Sequence, residues 1–423
     1  MNQGWKHRSG FLLAAAGSAI GLGNLWKFPF IVGQSGGGAF LGFYLLCVLL
    51  VGWPALYAAV SLGHRSRQCA WATLEEFPQG VWIARISFLA CNLVPAFYSV
   101  VGGWILGVFW EWLSMLPKVP LHPTKTQILI SKSWFYCSNW QFCFLLLSSL
   151  LVLCGVQKGI ERGNRIMMPI LFVLLTSLLT YSLTLSGANK AIAFLFSCDF
   201  SKLTPKAMMD GLGHSFFTLS VGCGSMITFG SYLPKEAKIA KSCASVVVMD
   251  TVIAVMASLL IFCCVFSFEG QVQAGPTLLF QTLPKLFSSM THGSFIGTCF
   301  FLLVSLTAIT SMISLLEVLV ANWMYRKKCS REKAMLISLG WVTPLAIISN
   351  FSWNVFWNVK IFSKPIFHFL DFITASYLMP ISGISFILFY GWHVAPPGLI
   401  RWLCRIITPG LLVLSLTASW LLS

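Results

Sequence analysis

The sequence predicts an all-α integral membrane protein of eleven transmembrane helices, arranged as two inverted five-helix repeats plus a peripheral helix, with helices 1 and 6 broken. Three observations predict it. Hydrophobic residues make up 57% of the 423 and charged residues 9%, whereas about a quarter of a soluble domain is charged; mean hydropathy is +0.81. Apolar runs recur near 9–33, 38–62, 86–113, 141–157, 166–186, 207–232, 243–268, 295–322, 334–350, 366–391 and 404–422, each close to the roughly 20 residues that cross a bilayer. Two of these runs are interrupted from within, by Gly17-Ser-Ala-Ile-Gly-Leu-Gly-Asn-Leu-Trp-Lys-Phe-Pro29 and by Ser220-Val-Gly-Cys-Gly-Ser225.

Bare backbone amides and carbonyls are costly in hydrocarbon, so non-helical chain at that depth is tolerated only where it lines a cavity or meets a ligand. Paired breaks in corresponding positions of two halves point to the binding site of a secondary transporter. If the breaks mark equivalent helices, the repeats run about 9–186 and 207–391, and about 404–422 is peripheral. The whole chain, 1–423, is then one membrane domain. A broken helix frees carbonyls for a small hard cation, while the next half-helix offers amides and its positive dipole end to an anion. The Gly17 and Gly21 spacing also suits close helix packing; Asn24, Lys27 and Pro29 beside it favour binding.

A net charge of +16 suggests nucleic acid in a soluble protein, but here the basic residues sort by loop parity and exclude that reading. Eighteen of the 28 lysines and arginines, including all ten arginines, fall on the N-terminus and the even-numbered connections. By the positive-inside rule the N-terminus is cytoplasmic and, with eleven spans, the C-terminus is outside. The basic clusters are also open to reading as anionic-lipid sites. Fourteen scattered cysteines read as buried hydrophobes, with Cys137 and Cys143 expected not to pair. The longest hydrophilic stretch, about 114–140, is an external loop, and no cleavable signal peptide is expected. No nucleophile with a base, HExxH or phosphate loop suggests an enzyme, and no repeated filter element suggests a channel.

Beyond the breaks, further motifs stand out: Trp5 with Arg8, Gly36-Gly-Gly-Ala-Phe40, Tyr98 with Trp104, Lys158-Gly-Ile-Glu-Arg162, Phe216 to Tyr232 and Leu306 to Glu317. Together with the Gly17 to Pro29 run they resemble the neurotransmitter:sodium symporter family, whose bacterial members include leucine-transporter-like carriers of the inner membrane. The resemblance implies two Na+ ions. The first would be held by the carbonyl of Ala19, by Asn24, Thr218 and Asp250, and by the substrate carboxylate. The second would use carbonyls of Gly17, Ile20 and Thr307 with hydroxyls of Thr310 and Ser311. Oxygen-only shells suit hard cations, although Thr307, Thr310 and Ser311 read alone fit hydroxyls bonded to their own helix. Asp250 is harder to set aside, since a carboxylate deep in an apolar span costs a few kcal/mol unless it meets a cation or a polar cavity.

The family pattern places the substrate against the Gly23 amide, the Tyr98 hydroxyl and the carbonyls of Ala19, Phe217 and Thr218, with Ser220 close by. Val94, Phe217, Cys223, Ser311 and Leu315 would wall its side chain. Tyr98 read alone also suits an interfacial tyrosine. No fixed charge matches the side-chain pocket, so the expected cargo is a neutral, apolar amino acid, and the small Cys223 leaves room for a bulky or aromatic one. A sodium-coupled carrier of a small amine or osmolyte is the alternative. Lys27 and Asp371 match the external gate pair above Phe217, whereas Asn2 and Tyr325 stand where an inner arginine–aspartate pair is common. Tyr44 fits an anion site of chloride-dependent relatives, but His214 and Ala254 do not, and no chloride is predicted. His214 beside Asp250 is either a proton carrier or a histidine hydrogen-bonded in the bundle. Expected partners are the amino-acid substrate and membrane lipid.

Overall fold

A computed structural model describes residues 4–114, 116, 134–197, 199–268, 277–290, 292–353, 355–356 and 358–421. Among them, nine helices are long and apolar enough to cross a membrane, or ten if Arg8–Ala19 and Gly23–Gln34, bent by 51°, form one span. The nine are Gly38–Ser66, Gly80–Ser114, Phe135–Leu153, Val156–Ser182, Ile239–Ser267, Gly293–Lys327, Arg331–Phe351, Ile366–Val394 and Leu399–Thr417. A further apolar stretch is divided into Pro205–Phe217 and Ser225–Ser231. The strand pairs described are Lys360–Ile361 with Lys364–Pro365, a short hairpin between spans. Most of the external loop expected near 114–140, and Asn2, lie outside the described residues.

Local chemistry explains where these helices start and stop. Pro205 occupies a first-turn position where no amide hydrogen is needed, and the Thr204 hydroxyl accepts a hydrogen bond from the Ala207 amide at 3.2 Å. Ser330 caps Arg331–Phe351 in the same manner, accepting from the Lys333 amide at 3.4 Å. Gly155, at φ +86°, separates Phe135–Leu153 from Val156–Ser182. The latter begins about ten residues before the apolar run near 166–186, because its first turns carry Lys158, Glu161, Arg162 and Arg165. Hydropathy cannot see a helix whose first turns are charged.

Burial separates centre from periphery. In Gly293–Lys327, 83% of the most apolar window is buried inside the protein, against 33% in Val156–Ser182 and 39% in Arg331–Phe351. The outer helices present Phe142, Val173, Leu336 and Trp341 at 58 to 71% exposure, a surface that only lipid covers without penalty. Inside, helices approach closely through glycine. A Cβ on Gly63 would stand 1.8 Å from the Ile227 carbonyl oxygen, and one on Gly230 would stand 2.4 Å from the Val60 oxygen. Gly38–Ser66 and Ser225–Ser231 are therefore pressed backbone to backbone.

On the face that carries the N-terminus, Trp5 is buried and its indole donates to the Phe229 carbonyl at 3.1 Å, edge-on to Phe229 and Tyr232. The Tyr232 hydroxyl donates to Glu317 at 2.7 Å, and Glu317, wholly buried, pairs with Arg331. Tyr325 donates to Glu75 at 3.0 Å, and Arg326 lies over the Trp71 ring.

The glycine contact gives a direct expectation for stability. Gly63→Ala forces the two helices apart and lowers the thermal unfolding midpoint of the detergent-purified protein, for a cost of about 1–3 kcal/mol. Gly42→Ala, which meets nothing within 4 Å, leaves the midpoint unchanged in the same melt.

Candidate functional site

The two breaks face each other. The first helix ends at Ala19, where Ile20 turns out of helix at ψ 87°, and the chain resumes in a widened π-type turn, Gly23–Lys27. The second ends at Phe217 and resumes at Ser225, with Ser220 at φ +53° and Gly224 at φ +76° between. The Ser220 hydroxyl donates to the Ser18 carbonyl at 2.9 Å, so one break satisfies an acceptor that the other has freed.

Asn24, Thr218 and Asp250 meet at this junction, exposed by 1, 5 and 1%. The Asn24 amide donates to Asp250 Oδ1 at 2.8 Å, and the Thr218 hydroxyl lies 3.1 Å from Asn24 Oδ1 and 3.2 Å from both Asp250 carboxylate oxygens. Ionising a carboxylate buried this deeply, with an amide and a hydroxyl to hold it, calls for a cation at its side. Among the described residues no group of three or more His, Cys, Asp or Glu gathers, so this oxygen cluster differs from a transition-metal site in donor type.

The second expected cluster is assembled in part. The Ser311 hydroxyl reaches the Gly17 carbonyl at 3.4 Å, joining the first helix to Gly293–Lys327. The Thr307 hydroxyl donates to Leu303 O at 2.8 Å and the Thr310 hydroxyl to Thr307 O at 3.0 Å, within their own helix. Ile20 is buried, and its amide closes the last turn on Ala16 O. The sequence reading missed Asn164. Its amide donates to Ile160 O, its buried Oδ1 has no hydrogen-bond partner, and that oxygen would stand 2.5 Å from a Cβ on Gly17. A side chain at position 17 would have to push that oxygen aside and would come 3.1 Å from Thr310 Cβ; an asparagine among the charged first turns of Val156–Ser182 was all that the sequence showed of it.

Between the breaks lies a cavity of about 90 Å3 lined by Ala19, Gly23, Val94, Tyr98, Phe217, Thr218, Ser220, Cys223, Ser311 and Leu315. These are the residues expected around a substrate. Phe97, Ser314, Thr374 and Met379 also line it and were missed, because nothing in their apolar runs distinguishes them from core. The buried Tyr98 hydroxyl has no hydrogen-bond partner and lies near Ser311 and Leu22.

Above Phe217 the space widens to about 360 Å3, bounded by Trp26, Lys27, Phe367, His368 and Asp371 among others. The Lys27 ammonium lies 4.9 Å from the centre of the Phe217 ring, and the charges of Asp210 and Asp371 both feel it. The expected gate residues thus share one rim, but Lys27 and Asp371 form no ion pair within 4.0 Å. His214 is buried against Phe28 and Tyr44, with ring centres 5.4 and 5.8 Å away. Among the described residues neither of its ring nitrogens nor the Tyr44 hydroxyl has a hydrogen-bond partner, which differs from the hydrogen-bonded histidine that the sequence allowed. Cys137 and Cys143 are not joined by a disulfide.

Comparison with known proteins agrees with this geometry. A profile of the Sodium:neurotransmitter symporter family matches residues 2–132 and 124–364. An uncharacterized sodium-dependent transporter of Bacillus subtilis, YhdH, is 39% identical over 397 residues, covering 91% of this chain and 86% of its own length. The mouse sodium-dependent neutral amino acid transporter B(0)AT3 is 30% identical over 291 residues, which cover 61% of this chain and 47% of its own. The crystal structure of MhsT in complex with L-phenylalanine superposes with a TM-score of 0.90 at 35% identity, over 99% of this chain and 100% of MhsT. The chain is an integral membrane protein of many apolar helices and belongs to the Sodium:neurotransmitter symporter family.

Proposed function

We propose that the protein is a sodium-coupled symporter of a neutral, apolar amino acid, bulky or aromatic, working by alternating access. The observation that carries this reading is the Asn24–Thr218–Asp250 oxygen cluster opening onto the cavity between the two breaks. In this scheme Asp250, Asn24, Thr218 and the Ala19 carbonyl hold one Na+, and the carboxylate of the substrate completes the shell. Ion and substrate then bind as a unit. The Gly23 amide and the Tyr98 hydroxyl, which has no hydrogen-bond partner among the described residues, orient that carboxylate. Carbonyls freed at Ala19, Phe217 and Thr218, with Ser220, receive the amine. A second Na+ lies between the Gly17, Ile20 and Thr307 carbonyls and the Thr310 and Ser311 hydroxyls, bridging the first helix to Gly293–Lys327. Each Na+ moving down the membrane potential contributes roughly 2.3 kcal/mol per 100 mV.

Neutral cargo follows from the lining: among the described residues no Lys, Arg, Asp or Glu borders the 90 Å3 cavity, so a charged side chain there would be left unpaired at a cost of several kcal/mol. The neutral amino acids that B(0)AT3 is named for and the phenylalanine held by MhsT point the same way. Asp250 supplies a resident negative charge, which removes the need for chloride. We further propose eleven spans, counting Pro205–Ser231 as one broken helix, in two inverted repeats. The N-terminus lies in the cytoplasm, the C-terminus outside, and the bacterial inner membrane is the site of action. Lys27 and Asp371 close over Phe217 after the substrate enters.

Three measurements test this. In proteoliposomes, Asp250→Ala weakens sodium-dependent substrate binding by about tenfold or more while circular dichroism stays helical; an unchanged sodium response removes the first ion site. Competition across the twenty amino acids ranks large neutral side chains first, and the reading fails if lysine or glutamate competes best. Replacing chloride by gluconate leaves sodium-driven uptake intact.

A further inference from the structure

The geometry points to a phospholipid site that the transport scheme does not use: a basic pocket at the foot of Val156–Ser182 that holds the phosphate of an anionic lipid headgroup, with the acyl chains along that helix. The pocket has a volume of about 410 Å3, and its charged lining is Lys6, Lys158, Glu161, Arg162 and Arg165. Four cations thus surround one carboxylate. Glu161, 2% exposed, is already engaged: it accepts from the Lys6 amide at 3.0 Å and pairs with Arg165 at 2.8 Å. Among the described residues no carboxylate lies within 4.0 Å of the Lys6 ammonium, the Lys158 ammonium or the Arg162 guanidinium. Three uncompensated cations around one concavity fit a phosphodiester, which a guanidinium can grip with two parallel hydrogen bonds.

The surroundings select a lipid over a free anion. Lys158, Arg162, Ile166 and Ile170 recur at four-residue spacing, so they form one stripe on the helix, and the stripe runs on to Val173. Ile166, which itself lines the pocket, is 54% exposed, Ile170 42% and Val173 61%. The stripe therefore changes from cationic to apolar where a phospholipid changes from phosphate to hydrocarbon. The pocket also holds the N-terminal segment in place, since Gln157 donates to the Gly4 carbonyl at 2.7 Å and Glu161 accepts from Lys6. A headgroup bound there bridges that segment to the helix and adds to the stability of the folded state. This inference rests on membrane residence and not on the cargo proposed above.

The test is thermal unfolding of the full-length protein in a non-ionic detergent, titrated separately with phosphatidylglycerol, phosphatidylcholine and inorganic phosphate. Phosphatidylglycerol raises Tm saturably by about 3 °C, and the other two do not. Lys158→Gln combined with Arg162→Gln shifts the phosphatidylglycerol midpoint about thirtyfold, at about fivefold for each cation. Lys158→Gln alone, a change of one exposed side chain, shifts it about fivefold, so the site remains testable if the double variant does not fold. Lys235→Gln with Lys241→Gln, an exposed basic patch on the same face, leaves the midpoint where it was. The inference is overturned by an unchanged midpoint in the Lys158 variant, by an equal loss in the Lys235 and Lys241 control, or by inorganic phosphate reproducing the full shift.

Discussion

Polar backbone has no solvent in the centre of a bilayer, and the arrangement of this protein follows from that constraint. Two helices give up their hydrogen-bond ladders at matching depth, and each settles part of the other's deficit, as the Ser220 hydroxyl does for the Ser18 carbonyl. Asp250 is then tolerable. Its carboxylate is held by Asn24 from one break and Thr218 from the other, so a charge that would be prohibitive on an intact span becomes the point at which three helices meet.

The same economy governs the opposite end of the molecule. Glu317 is fully buried in the central helix and is tolerated because Arg331 and Tyr232 reach it. Trp5 covers the same region and is held by the carbonyl of Phe229 on the half-helix after the second break. At this face Tyr325 bonds to Glu75 and Arg326 stacks on Trp71. These contacts tie the end of the central helix to the short Ala70–Glu75 helix.

The membrane class and the two breaks were legible in the sequence because they are written in one dimension: apolar runs of fixed length, and glycine where side chains would obstruct. The ten residues expected around a substrate do line one cavity. What was not legible depends on the third dimension. Asn164 comes beside Gly17 only through helix packing, and Phe97, Thr374 and Met379 look like ordinary core residues until the helices are assembled. The early start of Val156–Ser182 was hidden because its first turns carry Lys158, Glu161, Arg162 and Arg165, which hydropathy treats as loop. Hydroxyl roles were equally open. Thr307 and Thr310 bond within their own helix while Ser311, one residue further on, crosses to Gly17, and no sequence pattern separates those fates.

Ser311 therefore has two faces, one on the Gly17 carbonyl and one on the cavity. An alkali ion held between the Gly17 oxygen and the oxygen of this hydroxyl would turn the hydroxyl's hydrogen away from Gly17 and toward the cavity. In the proposed scheme a serine shared in this way would make boarding order a property of one rotatable bond: the ion that arrives first would prepare the seat for the passenger, and a filled seat would be slower to let the ion go.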